Sequence, residues 1–172
     1  MPVTSKTPSE PERRPLVIGI GNEHRHDDRC GLDVVRGLLG RLKGLARIAE
    51  CTGDVTTLLD LWKSEREVIV VDAVRSGHRP GTVLRLDDAL TELPRLGATS
   101  THGLSLTEAI GLGRALGKFP GHLVVYGIEA EDVEMGEGLS ERVSSGVRET
   151  IDLVATEVRS LLDPESYEES VD

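Results

Sequence analysis

Apolar positions along the chain follow two patterns. Unbroken aliphatic runs, Leu16-Val-Ile-Gly-Ile20, Val68-Ile-Val-Val71 and the stretch from His122 to Ile128, read as strands covered on both faces. Between them, spaced residues mark helical faces: Leu32, Val35, Leu38, Leu39 and Leu42, then Leu58, Leu59, Leu61 and Trp62. Further along, Leu106, Ala109, Ile110 and Gly113 share one such face, and Val143, Val147, Ile151, Val154, Val158 and Leu161 share another. In chain order this predicts strands over 16–20, 46–51, 67–72, 82–86 and 122–128. Helices are predicted after Asp54 or Thr56 as cap, over 105–116 with a Ser105/Glu108 capping box, and over 140–162. Asp87 or Asp88 is expected to cap a short helix ending before Pro94. Too few residues separate the third and fourth strands for a crossover, so the fourth is expected as a hairpin-like addition at the edge. The alternation of strand and helix predicts an α/β fold, a three-layer α/β/α sandwich with a mixed, mostly parallel twisted sheet of about five strands.

The 172 residues suffice for one domain, expected over 15–162 between a flexible lead-in (1–14) and an acidic tail (163–172). Aromatics make up only 2% of the chain, so branched aliphatics must fill the interior. A formal net charge of −10 argues against nucleic acid or an anionic membrane as partner. No apolar run reaches the length of a membrane span, and the N-terminus lacks a signal-peptide core, so a cytoplasmic location is expected. Cys30 and Cys51 make neither a disulfide framework nor a zinc-ribbon spacing.

The chemistry concentrates where strands end. Gly19-x-Gly21 opens the turn after the first strand, and its glycines are expected to permit that turn. His24 stands where a dinucleotide motif needs its third glycine, and the acids that follow would repel pyrophosphate. Of the pair Asp27-Asp28, one is expected to support the start of a helix while the other faces the cleft. Asp72 ends the buried 68–71 run. If the first and third strands are neighbours at a topological switch point, Asp28 and Asp72 flank one crevice. His102 precedes a helix, and an imidazole with two carboxylates suits a divalent transition metal. His24, His26 and His78, in loops near the same edge, compete for that role. No G-x-S-x-G elbow or H-E-x-x-H is present, and both cysteines read as small packed residues.

Taken together and in order, Gly19-Ile-Gly21-Asn22, Asp27-Asp28 with Gly31, Val70-Val-Asp72-Ala, Pro80-Gly81-Thr82, Ser100-Thr-His102-Gly-Leu and Tyr126-Gly-Ile-Glu129 resemble the [NiFe]-hydrogenase maturation endopeptidases. The resemblance runs from about Leu16 to Glu129. It departs at Arg29, where glycine is common, and at Cys51-Thr-Gly-Asp54, where a Gly-Thr-x-Gly-like turn is common. It implies an endopeptidase that removes the C-terminal extension of a hydrogenase large-subunit precursor after nickel insertion. The metal-engaging positions fall on Asp28, Asp72 and His102, with nickel supplied by the substrate rather than held permanently. A non-catalytic metal-binding chaperone for the large subunit is the alternative.

Overall fold

A computed structural model describes residues 14–87 and 106–163. Five strands, β1 (Leu16–Ile20), β2 (Arg47–Cys51), β3 (Glu67–Val74), β4 (Val83–Asp87) and β5 (His122–Glu129), form one sheet in the order β2-β1-β3-β5-β4. All neighbours are parallel except β4 and β5. Helices α1 (Cys30–Leu38) and α4 (Glu141–Leu162) cover one face, and α2 (Val55–Trp62) and α3 (Leu106–Ala115) cover the other. This is the expected three-layer sandwich.

The central strands are apolar throughout because both faces are roofed by helices. Val68, Ile69, Val70 and Val71 are buried, sending Val68 and Val70 into the α2/α3 core and Ile69 and Val71 into the α1/α4 core. Each such side chain contributes about 1.5–3 kcal/mol by leaving water. Asp54 caps α2 by accepting the Thr57 N–H at 2.7 Å, so of the two proposed caps the aspartate serves.

Two expectations are corrected. The helical face through Leu42 is shorter than predicted: α1 stops at Leu38, Leu39 is exposed, and Leu42 is buried from a turn. Gly37 and Gly40, poor helix formers, lie at this boundary. The fourth strand lies at the edge and runs antiparallel, yet it pairs with β5 and not with β3. β5, whose residues from Leu123 onward are all buried, takes the central place beside β3 and excludes a simple hairpin. Glycine at the β1 turn is required, as expected, and the reason is close approach rather than a left-handed backbone: a Cβ on Gly21 would lie 2.2 Å from the Asp28 carbonyl oxygen. A Cβ on Gly19 would lie 2.3 Å from the Gly31 carbonyl oxygen, and one on Gly31 would lie 2.3 Å from that of Ile20 and 2.4 Å from that of Val71. Bare backbone there lets α1 press onto β1 and β3. The predicted short helix before Pro94 and the Ser105 capping box lie outside the described residues.

Candidate functional site

β1 and β3 are parallel neighbours, and the chain leaves β1 first towards β2 on one side and then returns to β3 on the other. The carboxyl edge between them is therefore the switch point of the sheet, where ligands bind in open α/β folds. Asp28 reaches it from a short 3-10 turn, His26–Arg29, that links β1 to α1. Asp72 reaches it from within β3, two residues before that strand ends.

The two acids after β1 have separate jobs. Asp27 is fully buried and takes its partners from the segment before α4. Its carboxylate accepts the N–H groups of Glu131 (2.9 Å), Asp132 (2.8 Å) and Ser140 (2.8 Å), together with the Ser140 hydroxyl. Its own N–H donates to the Asp132 carbonyl at 2.9 Å. Asp27 thus caps α4 from a distance, since the Ser140 side chain makes no capping bond of its own. Neither acid makes a side-chain cap on α1, but both stand in the first turn of the 3-10 helix that leads into it, where an acid favours the helix start.

Asp28 faces Asp72. Burial, then the Asp28 charge, pushes the Asp72 carboxyl well above the usual carboxylate range, against a smaller pull from the Ala73 N–H. Some Asp72 surface remains accessible, but its carboxyl is closely surrounded by protein. Two acids held in such a place conflict unless a proton or a cation lies between them. The donor set and this conflict fit a hard or borderline divalent cation.

Cys30 lies against the same centre. Its thiol is pushed up by burial and by the charges of Asp72, Asp28 and Asp27. Cys51, at the end of β2, is pushed up by burial and by Asp54 and Asp72, with a Gly53 backbone hydrogen bond opposing. Neither environment favours a thiolate, so both cysteines serve as small packed side chains, as expected.

The rival histidines have local roles. His26 Nδ1 lies 3.3 Å from the Gly138 carbonyl, and His78 Nδ1 lies 2.8 Å from the Ser76 hydroxyl. His24 lines a cleft beside β1 and β2. His102 lies outside the described residues, and among the described residues no group of three or more His, Cys, Asp and Glu side chains is arranged to hold a metal. One further acid emerges from the structure. Glu129, buried at the end of β5, accepts the N–H groups of Ser76 and Gly77 at 3.0 Å and the Ser76 hydroxyl at 2.6 Å. It holds the loop that leaves β3 just beyond Asp72. The signal for it in the sequence was its place ending the last strand.

The fold and site define a class: an α/β sandwich with paired carboxylates at its switch point and, among the described residues, no serine or cysteine nucleophile elbow. Residues 52–157 match the family model for hydrogenase maturation proteases, and the chain belongs to that family. It is 29% identical over 151 residues to the hydrogenase 2 maturation protease of Escherichia coli K12, spanning 85% of this chain and 91% of that protein. It is also 29% identical to the HupD hydrogenase expression/formation protein of Thiocapsa roseopersicina, spanning 86% of this chain and 69% of that protein. Among solved structures, an Escherichia coli endopeptidase superposes with a TM-score of 0.76 at 29% identity, covering 86% of this chain and 93% of that one. The [NiFe] hydrogenase maturation protease HybD from Thermococcus kodakarensis gives 0.71 at 25% identity, covering 84% and 99%.

Proposed function

We propose that this chain is the endopeptidase that removes the C-terminal extension of a [NiFe]-hydrogenase large-subunit precursor after nickel insertion. The observation that carries the reading is the opposed pair Asp28 and Asp72 at the switch point, in a chain of this family. The nickel belongs to the substrate. Asp28, Asp72 and His102 engage it, which relieves the repulsion between the two carboxylates and anchors the precursor beside them. Anchoring at a fixed centre holds the nearby scissile peptide in one place, so that attack by water becomes an effectively intramolecular step. A metal at that position polarises the peptide carbonyl or the attacking water. A nickel-free precursor gives these three side chains nothing to grip and is expected to stay uncut.

The test is intact-mass measurement of the nickel-loaded precursor after mixing with the purified protein. Loss of a C-terminal fragment is expected, with at least about a hundredfold slower loss for His102→Ala, equivalent to ~2.7 kcal/mol of transition-state stabilisation. Unchanged mass, with nickel loading verified and every large subunit of the source organism tried, overturns the protease reading in favour of a chaperone. Full-rate processing of nickel-free precursor overturns the metal-engaging role alone.

A further inference from the structure

β2 is the outermost strand on its side of the sheet, and among the described residues no strand pairs beyond it. Its backbone orientation follows from two hydrogen bonds. The Arg47 N–H donates to the Pro15 carbonyl at 2.9 Å, and the Cys51 carbonyl accepts the Gly21 N–H at 3.0 Å. Within a strand a residue's N–H and C=O point to the same side, and successive residues alternate. Arg47, Ala49 and Cys51 therefore turn towards β1, whereas Ile48 and Glu50 turn their N–H and C=O outwards. No proline or bulge blunts this edge, as commonly happens where pairing is to be prevented. Its charged side chains are drawn away onto the faces of the sheet: Arg47 pairs with Glu65 at 2.7 Å, and Glu50 with Arg36 of α1 at 2.7 Å.

The same edge runs into a cleft of about 390 Å³, walled by Gly21, Asn22, Leu32, Arg36, Cys51 and Thr52. That cleft adjoins the carboxylate centre. The Asn22 N–H donates to the Asp28 carbonyl at 3.3 Å, and Cys51 is close enough to Asp72 to feel its charge.

We propose that the outer edge of β2 binds the precursor's C-terminal segment as an added strand, paired through the Ile48 and Glu50 backbone, and that the cleft at its carboxyl end takes one side chain beside the scissile bond. This rests on the protease reading and deepens it by assigning the surface that reads the peptide. An extended chain is the occupant an open strand edge fits, because main-chain groups supply the affinity whatever the side chains are. The wall sets the largely buried Leu32 and Cys51 beside the charged Glu23, Arg36 and Glu50, so the cleft suits a side chain with an aliphatic stem and a polar end.

Cleavage of the nickel-loaded precursor by wild type, Ile48→Ala and Ile48→Pro tests this. Ile48→Ala keeps the outward N–H, and Ile48→Pro removes it at an edge position that tolerates proline. The proline variant is expected to fall at least about tenfold below the alanine variant in kcat/KM. Equal rates for both overturn the proposal. If Ile48→Pro does not fold by circular dichroism, amide exchange of residues 46–52 in wild type decides, with precursor in excess to keep the enzyme occupied. At least about tenfold slower exchange at Ile48 and Glu50 supports strand addition. Unchanged exchange in a mixture that is cutting overturns it while leaving the protease reading intact. A wild type that cuts nothing overturns both.

Discussion

Asp27 commits both carboxylate oxygens to donors 104 to 113 positions further along the chain, whereas Asp28 beside it places its charge against Asp72. Asp27→Ala strips the acceptor from three backbone N–H groups in a site closed to water. At about 1 kcal/mol or more for each orphaned donor, a loss near ~3 kcal/mol is expected, read from the urea midpoint at constant slope. Asp72 predicts the opposite trade. A carboxyl whose folded pKa is raised above its unfolded value opposes folding once the pH passes that unfolded value, so its charge is a burden at neutral pH. Asp72→Asn is therefore expected to raise the melting temperature at pH 7, by about 2–4 °C for each ~1 kcal/mol of relieved repulsion, while cleavage of the precursor is lost. At this scale the sequence revealed that an acid pair stands after the first strand and another acid follows the buried 68–71 run, although β3 continues past it to Val74. Which member of the pair served structure was hidden, because Asp27's partners come from a loop that no local pattern connects to it.

Strands and helices were legible wherever burial was uniform. The Val68–Val71 run and the regular face of α4 each announce a single environment, and both elements form where the pattern placed them. Strand order was not legible between β3 and β4. A short link between two strands suggests that they pair, and only the fully apolar β5, arriving later in the chain, shows that the space beside β3 is taken. At the far end of these strands, His122 Nδ1 lies 2.7 Å from Glu67 and Nε2 lies 2.7 Å from Asp87, tying β3, β5 and β4 together. Burial alone would lower the imidazolium's pKa, but the hydrogen bonds it donates to Asp87 and Glu67 win and raise it. A raised histidine contributes stability that is fully present below its unfolded pKa and is lost as the pH rises through the folded value. The stability difference between wild type and His122→Gln is thus expected to be largest on the acidic side of neutrality. It should shrink as pH increases above about 6.5, measured by urea unfolding across that range.

For the molecule as a whole, the site is a property of the sheet order and of no single segment. Asp28 and Asp72 lie 44 positions apart (72 − 28) and meet because β1 and β3 are adjacent at the point where the winding reverses. That adjacency was inferable as a condition from an alternating α/β pattern, and the structure meets it. The close approach that makes it work, helix α1 seated on bare glycine backbone at Gly19 and Gly31, showed in the sequence only as glycines in a turn. The open flank of β2 has a consequence for how the protein behaves in a crowded solution. Among the described residues nothing pairs with the outward backbone groups of Ile48 and Glu50, and such a ladder is as complementary to a second copy of itself as to any visiting peptide, which is how exposed edges seed aggregation. The chain's ten excess negative charges bear on this risk, since they make every encounter between copies repulsive. High salt, which shortens the reach of that repulsion, removes the safeguard and leaves the flank free to find its twin.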